Sequence, residues 1–291
     1  MNSNFDLAKQ QKSVRDFHAL HHSDTMLVLP SAWDCVSAKI YEQSGFSAIA
    51  TTSSGISWSN GYQDGECIPP DEMIRTIERI TRSVDIPVTA DIEGGYIHNS
   101  YKKLSQFFSD VIDAGAVGIN IEDRCSGGVQ CDMEYQMDVI ALAKEVGEQK
   151  VLNLFVNART DSMAFVFGDL RTKVEVSIRR AHAFAEAGAD GIFIPFVNNM
   201  EVVSQLKKEI QLPLNILMEK SLSISELRKL KVNRISVGSK PILATLSLLK
   251  TISDELRNGD DWSSILDNAS TSYKEVNDWF PECESDGFLF E

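Results

Sequence analysis

Three segments near the middle of the chain run from apolar, β-favouring residues straight into polar and mostly acidic ones. They are Val88-Thr-Ala-Asp91-Ile-Glu93, Ile119-Asn-Ile-Glu122-Asp123 and Phe155-Val-Asn157-Ala-Arg159-Thr-Asp161. An unpaired carboxylate at a buried strand end is costly unless a cation compensates it, so several converging on one rim predict a divalent metal site. Strand residues two apart share a face, which groups Asp91 with Glu93, Asn120 with Glu122, and Asn157 with Arg159 and Asp161. Mg²⁺ takes a few carboxylates and keeps several waters, so one direct ligand, Asp91, is enough if other acids act through water. The competing reading is that these acids cap the helices that follow. Arg159 could neutralise a substrate carboxylate bidentately, or serve as a structural ion pair with Asp161 or Glu122.

The elements that must hold these residues are announced by internal repetition. Ser44-Gly-Phe-Ser-Ala-Ile49, Ala114-Gly-Ala-Val-Gly-Ile119 and Ala187-Gly-Ala-Asp-Gly-Ile192 each follow a helical pattern and precede an apolar run. A glycine so placed suits the left-handed residue that ends a helix. Asp85-Ile-Pro-Val88 and Gln211-Leu-Pro-Leu214 repeat one another as strand entries, with proline where a missing N–H costs least. The apolar runs predict eight strands: Met26 to Leu29, Ala48 to Thr52, Val88 to Asp91, Gly118 to Glu122, Leu154 to Ala158, Gly191 to Pro195, Leu214 to Leu217 and Arg234 to Val237. Helical stretches separate them, so the fold class is α/β and the architecture a (β/α)8 TIM barrel, with a doubly wound open sheet as the alternative.

A polar leading helix spans about Asp6 to Leu20, within a leader of residues 1–24; the barrel domain covers 25–258, and 259–291 hold a C-terminal helix and tail. Ile242, Leu246, Leu249, Ile252 and Leu256 form an apolar stripe on a long helix that Gly259 closes. Trp262, Ile265, Leu266, Tyr273 and Trp279 suggest a further helix, and Glu282 to Glu291 a tail. Both helices would pack on the barrel or on another subunit.

Function in such a barrel gathers at the C-terminal ends of the strands. Thr51 to Glu66 reads as a long loop with Gly55, Gly61 and Gly65 as hinges of a mobile lid. Gly94 and Gly95 would let backbone approach a ligand closely. His98 is the one histidine near this rim, whereas His18, His21, His22 and His182 read as solvated or packed. Cys125 and Cys131 have no recognised metal spacing and no evident base, and read as ordinary loop residues. Gly238-Ser-Lys could hold a phosphate, or Ser239 could simply cap a helix.

Composition narrows the classes. A net charge of −14 argues against nucleic-acid binding, since phosphate backbones need a basic surface. Five scattered cysteines without a CxxC pair fit a reducing, cytoplasmic setting better than a disulfide framework. The N-terminus lacks a signal-peptide pattern, and no stretch approaches the roughly 18 apolar residues of a membrane span.

Taken in order, Leu29-Pro-Ser-Ala-Trp-Asp34, Thr51-Thr-Ser-Ser-Gly55, Gly61-Tyr-Gln-Asp-Gly-Glu66, Asp91-Ile-Glu93-Gly-Gly-Tyr96, Ile121-Glu-Asp123, Asn157-Ala-Arg-Thr-Asp161 and Gly188-Ala-Asp-Gly-Ile-Phe-Ile-Pro195 resemble the isocitrate lyase and phosphoenolpyruvate mutase superfamily. The resemblance, from Leu27 to Leu248, implies a Mg²⁺-dependent barrel, with Mn²⁺ as a substitute. Such a barrel handles small 2-oxo or 2-hydroxy acids through a metal-bound enolate. It also implies Asp91 as metal ligand, with Glu93 and Glu122 on metal-bound waters. Thr52, Ser53, Gly94, Tyr96, Asn157 and Arg159 would bind substrate, and Asp64, Arg159 and Glu122 would be the catalytic groups, Asp64 falling on the mobile-loop aspartate of the mutase branch. A homotetramer, a dimer of dimers exchanging its last helices, is implied as well.

Departures from the family pattern sort the subclasses. Asp123-Arg-Cys-Ser-Gly-Gly lacks the Lys-(Lys/Arg)-Cys-Gly motif of the isocitrate and methylisocitrate lyases. Arg124 to Met133 lacks the lysine and asparagine of the mutases, and Pro195 replaces their histidine on strand six. The intact metal and enolate half implies decarboxylation or retro-aldol cleavage of a dicarboxylate such as oxaloacetate, as in an oxaloacetate decarboxylase-like or carboxyphosphonoenolpyruvate phosphonomutase-like branch. The enzymatic alternative is a P–C mutase or hydrolase of the carboxyvinyl-carboxyphosphonate phosphorylmutase type. The non-enzymatic one is a barrel that only binds 2-oxo acids.

Overall fold

The computed structural model describes residues 7–125, 129–259 and 262–281. In chain order its first half comprises α1 (Leu7–His21), β1 (Leu27–Leu29), β2 (Ser31–Ala32), α2 (Cys35–Gln43), β3 (Ile49–Thr51), α3 (Ser53–Ser59), α4 (Pro70–Ser83), β4 (Val88–Asp91), α5 (Tyr101–Asp113) and β5 (Gly118–Glu122). A hairpin of β6 (Arg124–Cys125) and β7 (Val129–Gln130) leads to α6 (Met133–Gln149), β8 (Phe155–Arg159), α7 (Ser162–Phe165), α8 (Leu170–Glu186) and β9 (Gly191–Ile194). Then come α9 (Met200–Glu209), β10 (Leu214–Leu217), α10 (Ile224–Lys229), β11 (Arg234–Ser236), α11 (Lys240–Asn258), α12 (Ser263–Asn268) and α13 (Tyr273–Asp278). The eight expected strands are all present, each within one residue at either end.

Parallel pairing runs in the order β1-β11-β10-β9-β8-β5-β4-β3-β2, a (β/α)8 barrel. Its first staircase position is split by Pro30. Leu27 to Leu29 pair with Arg234 to Ser236 on one side, while Ser31 and Ala32 pair with Ala50 and Thr51 on the other. Proline has no N–H to give the ladder, and here its carbonyl accepts from Ala50 N at 2.9 Å as the strand changes partners.

The N-terminal end of the barrel is sealed by aromatic packing. Phe155 starts β8 beside two glycines, and a Cβ on Gly118 would fall 3.0 Å from its Cβ, one on Gly191 3.3 Å from its ring. Helix α1 closes the floor with Phe17, edge-on to Phe155 at 5.3 Å, and His21, stacked on it at 4.0 Å. His21 Nδ1 donates to Phe17 O at 2.8 Å, and burial, with Arg234 nearby, pushes the imidazole down to about 3. The folded value lies below the ordinary one, so the unfolded chain takes the proton first and stability falls as pH drops from 6.5 toward 3. By pH 5 this linkage should cost about 2 kcal/mol. Urea unfolding of His21→Gln between pH 7 and 5 should show a shallower pH slope than wild type; an unchanged slope refutes the assignment.

Two expectations need correction. The segment after β3 is not loop throughout, since Ser53–Ser59 is helical and Gly55 lies inside the helix. Gly61 and Gly65 do take left-handed φ values, 85° and 94°. Nor are Cys125 and Cys131 separate thiols: they form a disulfide with a Cα–Cα distance of 5.2 Å. The β6–β7 hairpin turns the chain back, and Cys131 N donates to Asp123 O at 2.9 Å, bringing the two residues together.

By compactness the chain divides into Met1–Ser239, which holds every strand among the described residues, and Lys240–Glu291, so α11 groups with the C-terminal residues. In that second unit the expected further helix is two short ones, α12 and α13. Leu243, Leu246, Leu249, Leu256, Trp262, Leu266 and Tyr273 are all exposed. The expected tail, 282–291, lies outside the described residues. Among the described residues no helix is long and apolar enough to cross a membrane.

Candidate active site

Asp91, Glu122 and Arg159 are the last residues of adjacent strands β4, β5 and β8. Register places Asp91 opposite Asn120 and Glu122 opposite Arg159. The guanidinium is pinned: Nη1 pairs with Glu122 Oε2 at 2.6 Å, while Nε and Nη2 hold Asp161 Oδ1 and Oδ2 at 2.7 and 2.8 Å. Those contacts use three of its five N–H groups and leave two for a ligand. The structural ion pair weighed from sequence is thus present, with donors to spare. Burial alone would lower the guanidinium's pKa, but Glu122 and Asp161 outweigh it and hold it above the usual range.

The surrounding acids strain against one another. Glu93, 4% exposed, is pushed up to about 7 by burial and then by Asp64. Burial raises Glu122 as well, with Asp161, Asp91 and Glu93 adding to it against the pull of Arg159. Partial desolvation and Asp91 raise Asp64 on the segment above. Hard oxygen donors carrying this much mutual repulsion fit a divalent cation. Among the described residues no three acids, histidines or cysteines converge tightly enough to cage one directly. A hydrated ion with few protein ligands matches that spacing.

Asp91 Oδ2 accepts from Ser53 N and Oγ at 3.3 and 3.1 Å, so the carboxylate caps α3 from the neighbouring strand and leaves Oδ1 without a donor among the described residues. Thr52 is the N-cap residue of α3, its hydroxyl 3.1 Å from that of Ser54. Asn157 lies deeper, one turn of the pleat below Arg159, with Nδ2 donating to Asn120 Oδ1 at 2.8 Å. Gly94 faces protein: a Cβ there would sit 2.3 Å from Arg124 O, which accounts for the glycine without a ligand. Tyr96 is likewise engaged, its hydroxyl donating to Glu93 Oε1 at 2.8 Å.

Sequence reasoning missed three supports. Asp123, fully buried, accepts from Asp161 N at 2.9 Å and from Arg180 Nε at 2.6 Å, and so fixes the acid that fixes Arg159. Arg180 also donates to Cys131 O at 2.7 Å, tying the disulfide hairpin to the barrel. The signal was present in α8, where Val174, Ser177, Arg180, Ala181 and Phe184 share the buried stripe. Arg234, wholly buried in the barrel, donates to Asn120 Oδ1 at 3.1 Å, and burial pulls it down to about 9 against the attraction of Asp91. The third is the pair of Glu66 and His98, joined at 2.6 Å beside the rim.

Comparison with known proteins agrees with this architecture. The sequence model described as phosphoenolpyruvate phosphomutase matches residues 17–257. An uncharacterized protein of Mycobacterium tuberculosis is 36% identical over 79% of this chain and 84% of its own length. The 2,3-dimethylmalate lyase of Eubacterium barkeri is 25% identical over 87% of this chain and 89% of its own. Among solved structures, a candidate phosphonomutase from Burkholderia cenocepacia J2315 superposes with a TM-score of 0.79 at 31% identity, covering 86% of this chain and all of that one. The chain belongs to the phosphoenolpyruvate mutase and isocitrate lyase superfamily of lyases and mutases.

Proposed function

We propose that the protein is a Mg²⁺-dependent lyase that cleaves a C–C bond of a small 2-oxo or 2-hydroxy dicarboxylate, by decarboxylation or retro-aldol reaction. The observation that carries this reading is the surplus of mutually repelling carboxylates around Asp91, whose Oδ1 takes no donor among the described residues, next to a fixed guanidinium with two N–H groups that none of those residues accepts. Asp91 would be the direct ligand, with Glu93 and Glu122 reaching its waters. When bound, the ion draws electron density from a 2-oxo acid as the bond to the leaving group breaks.

Arg159 would hold the substrate carboxylate with its remaining donors, assisted by the hydroxyls of Thr52 and Ser53, and offset charge that develops during cleavage. With oxaloacetate, the bond to the departing carboxylate breaks, CO₂ leaves, and the carbon left behind takes up a proton to give pyruvate. Asp64, exposed on the segment above and with its pKa raised, is suited to hold that proton. The lyase relative named for 2,3-dimethylmalate, a 2-hydroxy dicarboxylate, supports the substrate class.

A panel of 2-oxo and 2-hydroxy dicarboxylates with Mg²⁺, read by pyruvate or other 2-oxo acid release, tests the proposal. Asp91→Ala should lower turnover at least about a thousandfold, in the range expected when charge stabilisation of a transition state is lost. Absence of product from every member of the panel would overturn the reading. A P–C mutase or hydrolase is the second reading, supported by the phosphomutase match and by the placing of Asp64; phosphonate turnover that depends on Asp64 would favour it. The exposed apolar side chains between Leu243 and Tyr273 support a homo-oligomer, which light scattering of the same preparation would reveal or exclude.

A further inference from the structure

Between α3 and α4 the chain returns over the acid cluster; Ile68 anchors its far end in the core, while its hydrogen bonds to the β4–α5 loop among the described residues all run through Glu66. Glu66 makes three hydrogen bonds, each to a different residue of the β4–α5 loop. Its N–H donates to Glu93 Oε2 at 2.8 Å, its Oε1 accepts from Tyr96 N at 2.8 Å, and its Oε2 accepts from His98 Nε2 at 2.6 Å. A Cβ on Gly94 would sit 3.1 Å from Glu66 Oε1 and 3.1 Å from His98 Cε1, so the carboxylate and imidazole pack directly on that glycine.

Three of the six described non-glycine residues with left-handed φ meet at this contact. Glu66, Glu93 and Tyr96 are non-glycine residues with left-handed φ values of 61°, 51° and 63°. Such residues persist where surrounding contacts over-determine them, and they gather at clamps and switches. Here all three belong to one hydrogen-bonded junction. Asp64 is two residues before Glu66, separated from it by Gly65, itself at φ 94°.

The junction joins closure to the state of the site. Glu93 Oε2 receives its N–H from Glu66, while Glu93 Oε1 receives the hydroxyl of Tyr96. Lifting the segment would remove one of those donors from a buried acid. Fastening the segment and orienting Glu93 are therefore one event.

We propose that Glu66 and His98 form a clasp that fastens the Asp64 segment over the acid cluster, both acting as positioning residues. The part played by Asp64 in turnover rests on the lyase reading above, whereas the clasp itself does not. His98 supplies the charged-acceptor bond to the side chain, and the backbone N–H groups of Tyr96 and Glu66 supply the fixed part of the grip. The occupant of the clasp is a segment of this same chain.

Amide hydrogen exchange of the full-length protein, read by mass spectrometry without substrate, tests the clasp directly. In Glu66→Ala, peptides covering residues 60–67 should exchange at least about tenfold faster than in wild type, while barrel peptides remain unchanged. Chymotrypsin should cut faster after Trp58 or Tyr62. Glu66→Gln, which can still accept from Tyr96 N, and His98→Gln, which can still donate to Glu66, should each fall between wild type and Glu66→Ala. Turnover of any acid accepted in the panel should follow the same order, through kcat more than KM. Unchanged exchange over 60–67 in Glu66→Ala, or faster exchange throughout the barrel, overturns the clasp. If exchange behaves as described while no acid is turned over, the clasp stands and the lyase reading falls.

Discussion

Arg159→Met should be the most damaging single substitution, costing about 3–5 kcal/mol of stability, because it strands buried acids that were paired. Glu122 and Asp161 are 5% and 1% exposed, and each meets the guanidinium within 2.8 Å. Turnover should vanish for the same reason that any carboxylate substrate loses its anchor. The sign of a third readout separates charge from packing. Without the cation the site is more negative, so the rise in Tm produced by Mg²⁺ should be larger in Arg159→Met than in wild type. Thermal denaturation with and without Mg²⁺ measures both effects. A mutant of near wild-type stability, or one with a smaller Mg²⁺ response, contradicts the account. Arg159→Lys should recover part of the stability, yet not the planar grip on Asp161.

Asp123→Ala should come close behind, at about 3–5 kcal/mol, by leaving Arg180 buried without its acid. Asp123 never touches the cluster, but its two oxygens serve Asp161 N, Arg180 and Gln130 Nε2, the last at 2.9 Å. Asp161 would lose the bond that orients it, and activity should fall through a raised KM as Arg159 drifts. Arg180→Met should relieve the stranded charge. The double variant should therefore be less destabilised than the sum of the singles, by more than about 0.5 kcal/mol. Additive losses in a urea-unfolding cycle would show that the pair is not a unit.

The barrel was legible because parallel strands buried on both faces read as apolar runs, and helix-ending glycines marked where three of them began. Asp91, Glu122 and Arg159 were legible for a related reason, since charge at the end of an apolar run stands out. Helix α3 was not. Thr51-Thr-Ser-Ser-Gly has poor helical propensity, and the carboxylate that caps it arrives from Asp91, 38 residues away. Cys125 and Cys131 gave no sign because their pairing depends on a hairpin and on Arg180 holding Cys131 O. Arg180 and Arg234 were visible as charges among apolar neighbours, but their partners lie 57 and 114 residues off along the chain. Tertiary proximity of that kind leaves no local periodicity to read.

The floor of the barrel bears on how this sequence can change over generations. Phe155 occupies volume that Gly118 and Gly191 forgo, with Phe17 of α1 set 3.2 Å from where a Gly118 Cβ would stand. A descendant that acquires alanine at 118 meets the Phe155 carbonyl at 2.7 Å, a clash no rotamer relieves, whereas one at 191 meets Asn157 Oδ1 at 2.9 Å and the Phe155 ring at 3.3 Å. Four positions spread over 174 residues of sequence therefore form one inherited block. A smaller side chain at 155 would open room at 191 but not at 118, where the backbone oxygen remains in the way. The leading helix, which contributes no residue to the acid cluster, is bound into that lineage as tightly as the strands it closes.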